Sequence, residues 1–472
     1  MDTKKLRQKI LDLAIRGKLV PQDPNDEPAS VLLERIRAEK EQLIKEGKIK
    51  RSKKSAATDK SHYENVPFEI PESWCWVEMS DIFLLNPKND INDNVDGGFI
   101  PMACVCDGYS GEHTFITKQW GDIKKGFSHF QNGDIGIAKI SPCFENRKSV
   151  IFSDLPNNIG SGTTELIVLR GILVNSAFYL LLIKSDWYIS EGTKYFKGVV
   201  GQQRVHKDIF TTLQVPMPPL REQQKIVDSV KNWFSVIDEI ENGVTELKTV
   251  IKQAKSKILD LAISGKLVPQ DPNDEPAIEL IKRINPAFKP CDNSQYENLP
   301  FEIPSTWVWV SHNDMLEISG GAQPPKSEFS EVMKPGYIRL YQIRDYGEKP
   351  IPIYIPLSTA SKTTVKGDIL LARYGGSLGK VFIAEDGAYN VAMAKVILCY
   401  PEVLNQKFVY YYYLSSIYQN KLRSISRTAQ AGFNSGDFED MYFPLPPLEE
   451  QGRIVDAISS IWEMIDMITA EL

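Results

Sequence analysis

The stretch KILDLAIRGKLVPQDPNDEPA at residues 9–29 occurs again as KILDLAISGKLVPQDPNDEPA at residues 257–277. The copies differ only in that Arg16 is replaced by Ser264, and they lie 248 residues apart in a chain of 472. Self-similarity at a fixed offset is the signature of a repeated architecture, in which each copy builds one structural unit. The stretch therefore predicts two equivalent halves, each with a helix end followed by a Pro- and Asp-rich turn.

A second repeat shows how the two halves are joined. PMPPLREQQKIVD at residues 216–228 returns as PLPPLEEQGRIVD at residues 444–456, with an offset of 228 residues. The two offsets together exceed the chain length of 472 by only four residues. The C-terminal segment followed by the N-terminal segment is therefore a split copy of the central segment. We expect a circularly permuted repeat with a pseudo-two-fold axis.

Long helices are predicted to begin at both PxPPL motifs. In the central segment, apolar residues recur at spacings of four and three, the pattern of a coiled-coil seam: Ile226, Val230, Trp233, Ile237, Ile240, Val244, Leu247, Ile251, Ala254, Ile258 and Leu261. This interval corresponds to a rod of about 50 Å. The register resumes in both terminal segments, at Ile454, Ile458, Ile461, Ile465, Ile468 and Leu472 and at Leu6, Ile10 and Leu13. We expect the termini to act as one interrupted helix antiparallel to the central one; alternatively, each helix packs only on its own globular domain.

A shared motif marks the start of a predicted globular domain in each half. It reads YENVPFEIPESWCWV at 63–77 and YENLPFEIPSTWVWV at 296–310. Strand-like runs such as GDIGIAKI and GDILLARY accompany helical runs such as SAFYLLLIKSDWYI, which predicts mixed α/β domains. The expected fold class is α+β, with two mixed α/β domains joined by two long antiparallel coiled-coil regions. The expected boundaries are 1–50 for an N-terminal helical segment, 51–62 for a linker, 63–215 for the first domain, 216–284 for the central helical region, 285–295 for a second linker, 296–443 for the second domain and 444–472 for the C-terminal helix.

The two domain interiors share few residues apart from the triplets Gly133-Asp134-Ile135 and Gly367-Asp368-Ile369. The scaffold around them is nearly duplicated. A fixed scaffold that carries two dissimilar modules suits a protein that recognises two different targets in one geometry.

Bulk composition narrows the classes of function. The chain is 42% hydrophobic and 25% charged, as in ordinary globular proteins, and no apolar run approaches the length of a membrane span. Six scattered cysteines without a Cys-x-x-Cys pair, and only five histidines, disfavour a zinc site or a disulfide framework and favour a reducing cytoplasm. The net charge of −6 argues against nucleic-acid binding only if charge is spread evenly, because acidic helices can accompany basic loops.

The chain resembles the specificity subunit of type I restriction–modification systems over essentially its whole length. The residues that carry the resemblance are the paired PxPPLxEQ motifs (Pro216 to Gln223 and Pro444 to Gln451), the paired Pro-x-x-Trp-x-Trp motifs (Pro71 to Trp76 and Pro304 to Trp309) and the two helical spacers. The resemblance implies two target-recognition domains that each read one half of a split DNA sequence, with a helical spacer that fixes their separation.

The resemblance also implies the partners and the chemistry of the complex. Two methyltransferase subunits would dock on the helical regions and methylate adenine with S-adenosylmethionine, and restriction subunits would add ATP- and Mg²⁺-dependent translocation and cleavage. This chain itself would have no catalytic residue, metal or cofactor. We assign partner binding to the motif residues Pro219, Leu220, Glu222, Gln223, Pro447, Leu448, Glu450 and Gln451.

Two loops before the PxPPL motifs are the best candidates for DNA contacts, because long polar side chains on Gly-containing loops can reach base edges. GTKYFKGVVGQQRVHK at 192–207 offers Lys194, Tyr195, Lys197, Gln202, Gln203, Arg204, His206 and Lys207. RSISRTAQAGFNSG at 423–436 offers Arg423, Arg427, Gln430, Asn434 and Ser435. Arg373 and Tyr374, which lie near a turn of the second domain, are weaker candidates that we also include among the predicted DNA contacts. Lys124, Lys125, Arg147, Lys148, Arg339 and Arg344 are weaker candidates, some of them for phosphate contacts.

Two other functions compete with DNA recognition. A bivalent scaffold that binds two proteins and no DNA would fit the repeat, but it leaves the basic loops unexplained. An enzyme with duplicated domains is disfavoured by missing motifs. GGSLGK, which ends at Lys380, lacks the first glycine and the Ser or Thr of a phosphate-binding loop, because Tyr374 and Val381 stand there.

Overall fold

The computed structural model describes residues 2–49, 66–198, 203–291, 299–425 and 432–470. The chain divides into two compact units, Met1–Gly243 and Val244–Leu472. The division falls within one long helix, so each unit includes part of it. The domain boundaries given above stay a prediction.

The first unit contains the following elements. Its helices are α1 (Thr3–Ile15), α2 (Ala29–Lys45), α3 (Met79–Ile82), α4 (Trp120–Ile123), α5 (Ser176–Ile183), α6 (Asp186–Thr193), α7 (Ile209–Thr212) and the first part of α8 (Leu220–Ile263). Its strands are β1 (Cys75–Glu78), β2 (Phe83–Leu85), β3 (Asp96–Ile100), β4 (Ile116–Gln119), β5 (Ser128–Gln131), β6 (Ile135–Ala138), β7 (Ser149–Ile151), β8 (Ile159–Gly162), β9 (Leu166–Gly171), β10 (Phe196–Lys197), β11 (Arg204–Val205) and β12 (Gln214–Met217).

The second unit contains the rest of α8 and the following elements. Its other helices are α9 (Ala277–Ile284), α10 (His312–Met315), α11 (Gln406–Leu414), α12 (Ser416–Ile425) and α13 (Leu448–Ala470). Its strands are β13 (Val308–Ser311), β14 (Leu316–Gly320), β15 (Tyr337–Tyr341), β16 (Tyr354–Pro356), β17 (Thr363–Thr364), β18 (Ile369–Ala372), β19 (Val381–Ile383), β20 (Gly387–Tyr389), β21 (Met393–Leu398) and β22 (Tyr442–Leu445).

The two units have the same sheet topology although their interiors share few residues. The first unit has an antiparallel sheet of order β2-β9-β6-β7 and a mixed sheet of order β4-β3-β8-β5, in which β3 and β8 are parallel. The second has β14-β21-β18-β19 and β16-β15-β20-β17, in which β15 and β20 are parallel. In each unit the strand before the PxPPL helix pairs with the strand of the Trp-x-Trp motif, as β1-β12 and β13-β22. The predicted fold class is confirmed.

Alternation of side chains explains why the central strands are apolar throughout. In β6, Ile135 and Ile137 join a core that includes Phe178 of α5, whereas Ala138 joins a second core. Because successive residues of a strand point to opposite faces, the β2-β9-β6-β7 sheet is buried on both sides. The predicted strand GDIGIAKI is therefore a central strand of the first unit.

In the first unit, α1 packs antiparallel against the beginning of α8. The buried Arg7 guanidinium pairs with Asp238 at 2.7 Å and with Glu241 at 3.0 Å, and it lies 5.0 Å from the centroid of the Phe234 ring. Phe234 packs against the core where the heptad pattern predicts Trp233, which is 51% exposed. The predicted seam residues Ile226, Val230 and Ile237 are buried, so within this stretch the buried face departs from the heptad prediction only at Trp233.

In the second unit, α13 packs antiparallel against the end of α8. Lys255 of α8 pairs with Asp466 of α13 and lies 5.0 Å from the centroid of the Trp462 ring. Leu259 and Ile263 of α8 and Ile458 of α13 are buried in one core. The heptad prediction of a long helix is confirmed, but its buried side chains are displaced by one position from the predicted Ile258.

Glycine ends the first helix of each repeat because the chain reverses there against a proline. Gly17 has φ +67°, and a Cβ atom on it would lie 2.4 Å from Pro71 Cγ. Gly265 has φ +70°, with its Cβ position 2.4 Å from Pro304 Cγ. The Lys18 amide donates to the Leu13 carbonyl at 2.9 Å, which closes a Schellman motif.

Gly17→Ala is expected to lower the free energy of unfolding by about 2 kcal/mol, because the left-handed backbone and the contact with Pro71 both penalise a Cβ atom. Gly47→Ala is the matched control. Gly47 follows α2 with φ +71°, and a Cβ atom there meets nothing within 4 Å. We expect the control to lose only about 1 kcal/mol, as measured by urea unfolding. Equal losses would contradict the steric role of Pro71.

Candidate nucleic-acid interface

A buried carboxylate joins three repeated motifs in the first unit. Glu222 accepts hydrogen bonds from the Trp74 indole Nε1 at 2.9 Å and from the Gln22 Nε2 at 2.7 Å. We call these three residues the first carboxylate node. Burial raises the pKa of Glu222, and the two donors oppose this shift. One turn along α8, Lys225 pairs with Asp26 at 3.0 Å, so the helix start is tied to the turn after α1.

The second unit repeats this arrangement. Glu450 accepts hydrogen bonds from Trp307 Nε1 at 2.9 Å and from Gln270 Nε2 at 2.6 Å, and these residues form the second carboxylate node. Burial again raises the pKa of the carboxyl group. Arg453 pairs with Asp274 at 2.6 Å, in the place of the lysine of the first unit. The sequence repeats thus encode one contact set that is built twice.

The glutamine of each PxPPLxEQ motif, Gln223 or Gln451, binds the N-cap residue of another helix in its unit. Gln223 Nε2 donates to the Pro218 carbonyl at 2.9 Å, and its Oε1 accepts from the Asn175 amide at 2.9 Å. Gln451 accepts from the Asn405 amide at 2.7 Å. Asn175 and Asn405 are the N-caps of α5 and α11, which pack on the central sheets. The motif therefore connects the long helices to the sheets that carry the candidate loops.

The PxPPLxEQ residues that were predicted to bind partners differ in burial. Six of the eight that were predicted to bind partners are buried: Pro219, Glu222, Gln223, Pro447, Glu450 and Gln451. Their side chains lie inside the units, where the glutamates and glutamines make the internal contacts described above, and partner binding by these six residues stays a prediction. Leu220 is 42% exposed and Leu448 is half-buried, and partner binding by these two stays a prediction.

The described ends of the first candidate loop pair as two short antiparallel strands, β10 and β11, which we call the hairpin; residues 199–202 lie outside the described residues. The backbone of Lys197 is paired with that of Arg204 across the hairpin, and the His206 amide donates to the Tyr195 carbonyl at 2.9 Å. Tyr195 packs against the core, so its ring is partly used for stability. Gln202 lies outside the described residues.

Several of the hairpin's predicted DNA contacts are engaged within the chain. The Arg204 guanidinium donates two hydrogen bonds to Glu165 Oε1, from Nε at 3.0 Å and from Nη2 at 2.9 Å. Lys194 pairs with Glu191 at 2.7 Å. Lys197 and Lys207 are exposed and make no ion pair with any residue that the structure describes. DNA contacts by Lys194, Tyr195, Lys197, Gln203, Arg204, His206 and Lys207 stay predictions, with Lys197 and Lys207 the most available.

The loop between β6 and β7, residues 139–148, lies beside this hairpin. The Val205 amide donates to the Lys139 carbonyl at 2.8 Å, and the Ser141 amide donates to the Gln203 carbonyl at 2.9 Å. That these two loops lie side by side was not predicted from the sequence. The shared Gly-Asp-Ile triplet that precedes β6 and β18 is the signal that could have located the loop in both units.

In the second unit, Arg373 and Tyr374 lie beside the second candidate loop. Tyr374, in the loop after β18, forms a backbone bridge with Gly432, and the Arg373 Nη2 donates to the Phe433 carbonyl at 3.0 Å. Asn434 caps a short 3₁₀ turn, with its Oδ1 accepting from the Gly436 amide at 2.9 Å. The backbone pairing is equivalent to that in the first unit, where Ile140 forms a bridge with Arg204.

The remaining predicted residues of this loop differ in their surroundings. Arg423 Nη1 donates to the Asn420 side chain at 3.0 Å on the last turn of α12. Ser435 is exposed, and its carbonyl accepts from Asn313 Nδ2 at 3.2 Å. Arg427 and Gln430 lie outside the described residues. DNA contacts by Arg373, Tyr374, Arg423, Asn434 and Ser435 stay predictions.

Each unit thus has two adjoining loops that are joined by equivalent backbone bridges but carry different side chains. Arg373 and Tyr374 of the second unit stand where the first has Lys139 and Ile140. Polar and cationic side chains on loops at one edge of a rigid sheet can contact phosphates and base edges. Among the residues described, no group of three or more His, Cys, Asp or Glu side chains could hold a metal ion. No described helix is both long and apolar enough to cross a membrane.

Comparison with known proteins identifies this architecture. The family model of the type I restriction modification DNA specificity domain matches twice, at residues 71–249 and 304–472. The chain is 32% identical to the EcoEI specificity subunit of Escherichia coli, over 99% of this chain and 90% of that protein. It is 41% identical to the EcoAI specificity subunit of Escherichia coli, over 70% of this chain and 65% of that protein.

Two solved structures share the fold. One comes from work on complex assembly and conformational transition of a type I restriction–modification system, with a TM-score of 0.62, 18% identity and coverage of 86% of this chain and 94% of that one. The other is the HsdS subunit of Thermoanaerobacter tengcongensis, with a TM-score of 0.54, 19% identity and coverage of 86% and 93%. The two family matches fall one in each unit, apart from a few residues of α8. The chain therefore belongs to the family of type I restriction–modification DNA specificity subunits.

Proposed function

We propose that this chain selects the DNA target of a type I restriction–modification complex, with each unit reading one half of a bipartite sequence. The observation that carries this proposal is the duplicated family match on two units whose loops are held alike but carry different side chains. Identical frameworks with unlike loops suit two half-sites of different sequence, because base contacts specify and the framework only positions.

The proposal extends to the partners and the chemistry of the complex. Two methyltransferase subunits bind the helical regions, carry S-adenosylmethionine and methylate adenine N6. Restriction subunits supply ATP- and Mg²⁺-dependent translocation and cleavage. This chain contributes recognition and no catalytic group. Leu220 and Leu448, at the starts of the two motif helices, are its candidate partner contacts.

The direct test is methylation mapping. The chain is expressed with its own methyltransferase subunits in a methylation-deficient host, and methylated adenines are mapped across the genome. We expect one motif made of two specific blocks separated by unspecified bases. A methylated motif with one uninterrupted block would contradict two-unit reading. Methylation that is the same without this chain would contradict a role in target selection.

Removing the two available cations of the first loop is expected to weaken DNA binding without affecting assembly. Lys197→Gln combined with Lys207→Gln should weaken binding of the complex to its target about 10-fold. It should also lower the salt dependence by about two counterions, because each lysine neutralises a phosphate. Lys4→Gln with Lys18→Gln removes the same charge from exposed positions at the two ends of the α1 segment and should change affinity less than about 2-fold.

Fluorescence anisotropy with a labelled target duplex at several salt concentrations gives both quantities. Equal effects of the loop pair and the control pair would show that only overall charge matters, and would contradict loop contacts with phosphate.

A further inference from the structure

The second unit contains an open cleft of about 490 Å³ that the sequence did not reveal. It lies between the loop after β18 and the 3₁₀ turn Ile343–Tyr346, which follows β15. Arg344, Tyr374, Gly376 and Lys380 are among the residues that line it. Tyr374 is also bridged to the second candidate loop, so the cleft adjoins that loop.

Stacked aromatic rings line part of the cleft. The rings of Tyr346 and Phe382 stack with centroids 4.5 Å apart and an interplanar angle of 17°. Asp345 holds the turn, because its carboxylate accepts from the Gln342 amide at 2.8 Å and from the Ile351 amide at 3.1 Å. The Tyr346 hydroxyl is buried and has no hydrogen-bond partner among the described residues. A cleft lined by aromatic rings with a few polar groups at its rim is a feature of ligand sites.

The two cations of the cleft are available for a ligand. Arg344 and Lys380 are exposed, and neither makes an ion pair with any residue in the described ranges. Four other cations of the same unit are ion-paired, Arg339 with Asp345, Lys395 with Asp368, Lys366 with Glu385 and Lys421 with Asp440, whereas exposed lysines such as Lys326 and Lys349 are unpaired among the described residues but do not line this cleft. Two unpaired cations at the rim of one cleft favour an anionic ligand.

The first unit provides an internal comparison. Lys148 is the counterpart of Lys380, because the Ala138 amide donates to the Lys148 carbonyl and the Ala372 amide donates to the Lys380 carbonyl, both at 2.9 Å. Lys148 Nζ, however, donates to the carbonyl of Val105 at 3.0 Å. The lysine of the first unit is therefore used internally, whereas that of the second unit is directed to an open cleft.

We propose that this cleft of the second unit binds one nucleotide of the target DNA, with its phosphate between Arg344 and Lys380 and its sugar or base against the exposed ring of Tyr374. This inference rests on the proposed function and adds a defined nucleotide site to it. Aromatic faces stack on bases, and paired cations neutralise a phosphate. The second half-site is therefore held by a contact for which the first unit has no free counterpart lysine.

The test introduces a charge into the cleft without changing the fold. A Cβ atom on Gly376 would meet nothing within 4 Å, so Gly376→Asp and its neutral isostere Gly376→Asn are both accommodated. Binding of the assembled complex to its target duplex is measured by fluorescence anisotropy. We expect Gly376→Asp to bind at least about 10-fold more weakly than Gly376→Asn, because its carboxylate repels the phosphate.

A second pair of variants tests the lysine. Lys380→Gln is expected to weaken binding about 5-fold and to lower the salt slope by about one counterion. Lys366→Gln makes the same charge change at the opposite end of β18 and should alter binding less than about 2-fold. Replacing single phosphates of the second half-site by neutral methylphosphonates should locate one position whose effect is large in the wild type and small in Lys380→Gln.

The outcomes separate the two proposals. If the wild-type complex does not prefer its target duplex over a scrambled one, the proposed function fails and the cleft inference fails with it. If the wild type is specific but Gly376→Asp equals Gly376→Asn, or Lys380→Gln equals Lys366→Gln, only the cleft inference is overturned. A methylphosphonate effect confined to the first half-site would overturn it as well.

Discussion

Glu222→Ala is expected to lower the free energy of unfolding of the first unit by about 3 kcal/mol. The Glu222 side chain is almost fully buried, and it accepts the indole proton of Trp74, itself a buried residue. Without the carboxylate this buried N–H loses its acceptor, which costs roughly 1–3 kcal/mol. The hydrogen bond from Gln22 is lost as well, and hydrogen bonds to charged groups contribute about 1.5–3 kcal/mol.

The second carboxylate node is the matched control for this variant. Glu450→Ala removes the acceptor of Trp307 and Gln270 in contacts that match those of the first node in length to 0.1 Å. We expect a similar loss in the second unit. Urea unfolding followed by hydrogen exchange assigns each loss to its unit. A loss below about 1 kcal/mol in either variant would mean that the buried carboxylate does not stabilise its unit.

Glu222→Gln tests how much of the effect depends on charge. The amide keeps one acceptor oxygen, so only one of the two donors remains bonded. We therefore expect a loss of about 1.5 kcal/mol, roughly half that of Glu222→Ala. Since burial raises the pKa of Glu222, removing the charge also removes a desolvation cost, which keeps the loss of Glu222→Gln small.

The carboxylate nodes show what the sequence could predict and what it could not. Repetition of the Trp-x-Trp, PxPPLxEQ and GKLVPQDPNDEPA segments predicted two equivalent units and long helices. It did not indicate that one residue from each segment meets at a single carboxylate. Contacts between residues 22, 74 and 222 depend on tertiary packing, for which local pattern carries no signal. The Glu and Gln shared by the two PxPPLxEQ motifs were therefore predicted to bind partners, and their internal contacts were not anticipated.

The sheets illustrate the same limit at the level of topology. Alternation and turn residues located β6 and β18, because local apolar runs determine whether a strand forms. Strand order depends on pairing over long sequence separations, as in the parallel pair of Gly98 with Gly160. The two units therefore share a topology that their divergent interiors conceal. The loop after β6 and the cleft beside Lys380 follow from that topology, so they were missed.

Acidification is expected to destabilise the second unit through His312. This side chain is fully buried, its Nδ1 donates to Asn313 Oδ1 at 2.9 Å, and the Tyr413 hydroxyl donates to its Nε2 at 2.8 Å. Burial lowers the pKa of His312 from 6.5 to about 4. The folded state therefore keeps the imidazole neutral at a pH where the unfolded chain is protonated.

The sign and size of the effect follow from this shift. Because the folded pKa is below the unfolded value, the contribution to stability is fully present above pH 6.5 and is lost as the pH falls towards 4. At ~1.36 kcal/mol per unit of pKa, the loss between pH 7 and pH 4 amounts to about 3 kcal/mol. The sequence places no other histidine in the second unit, so this titration is specific to it.

His312→Gln tests the assignment, because glutamine keeps hydrogen-bonding groups and does not titrate. Free energies of unfolding are measured at several values between pH 4 and pH 7 for both proteins, with hydrogen exchange reporting on α11 and α12. We expect the wild type to lose about 3 kcal/mol more than the variant over this range. His113→Gln is the control in the first unit, where burial lowers the histidine pKa less and the side chain is only half-buried. Parallel pH curves for the wild type and His312→Gln would show that His312 does not govern the acid sensitivity of the second unit.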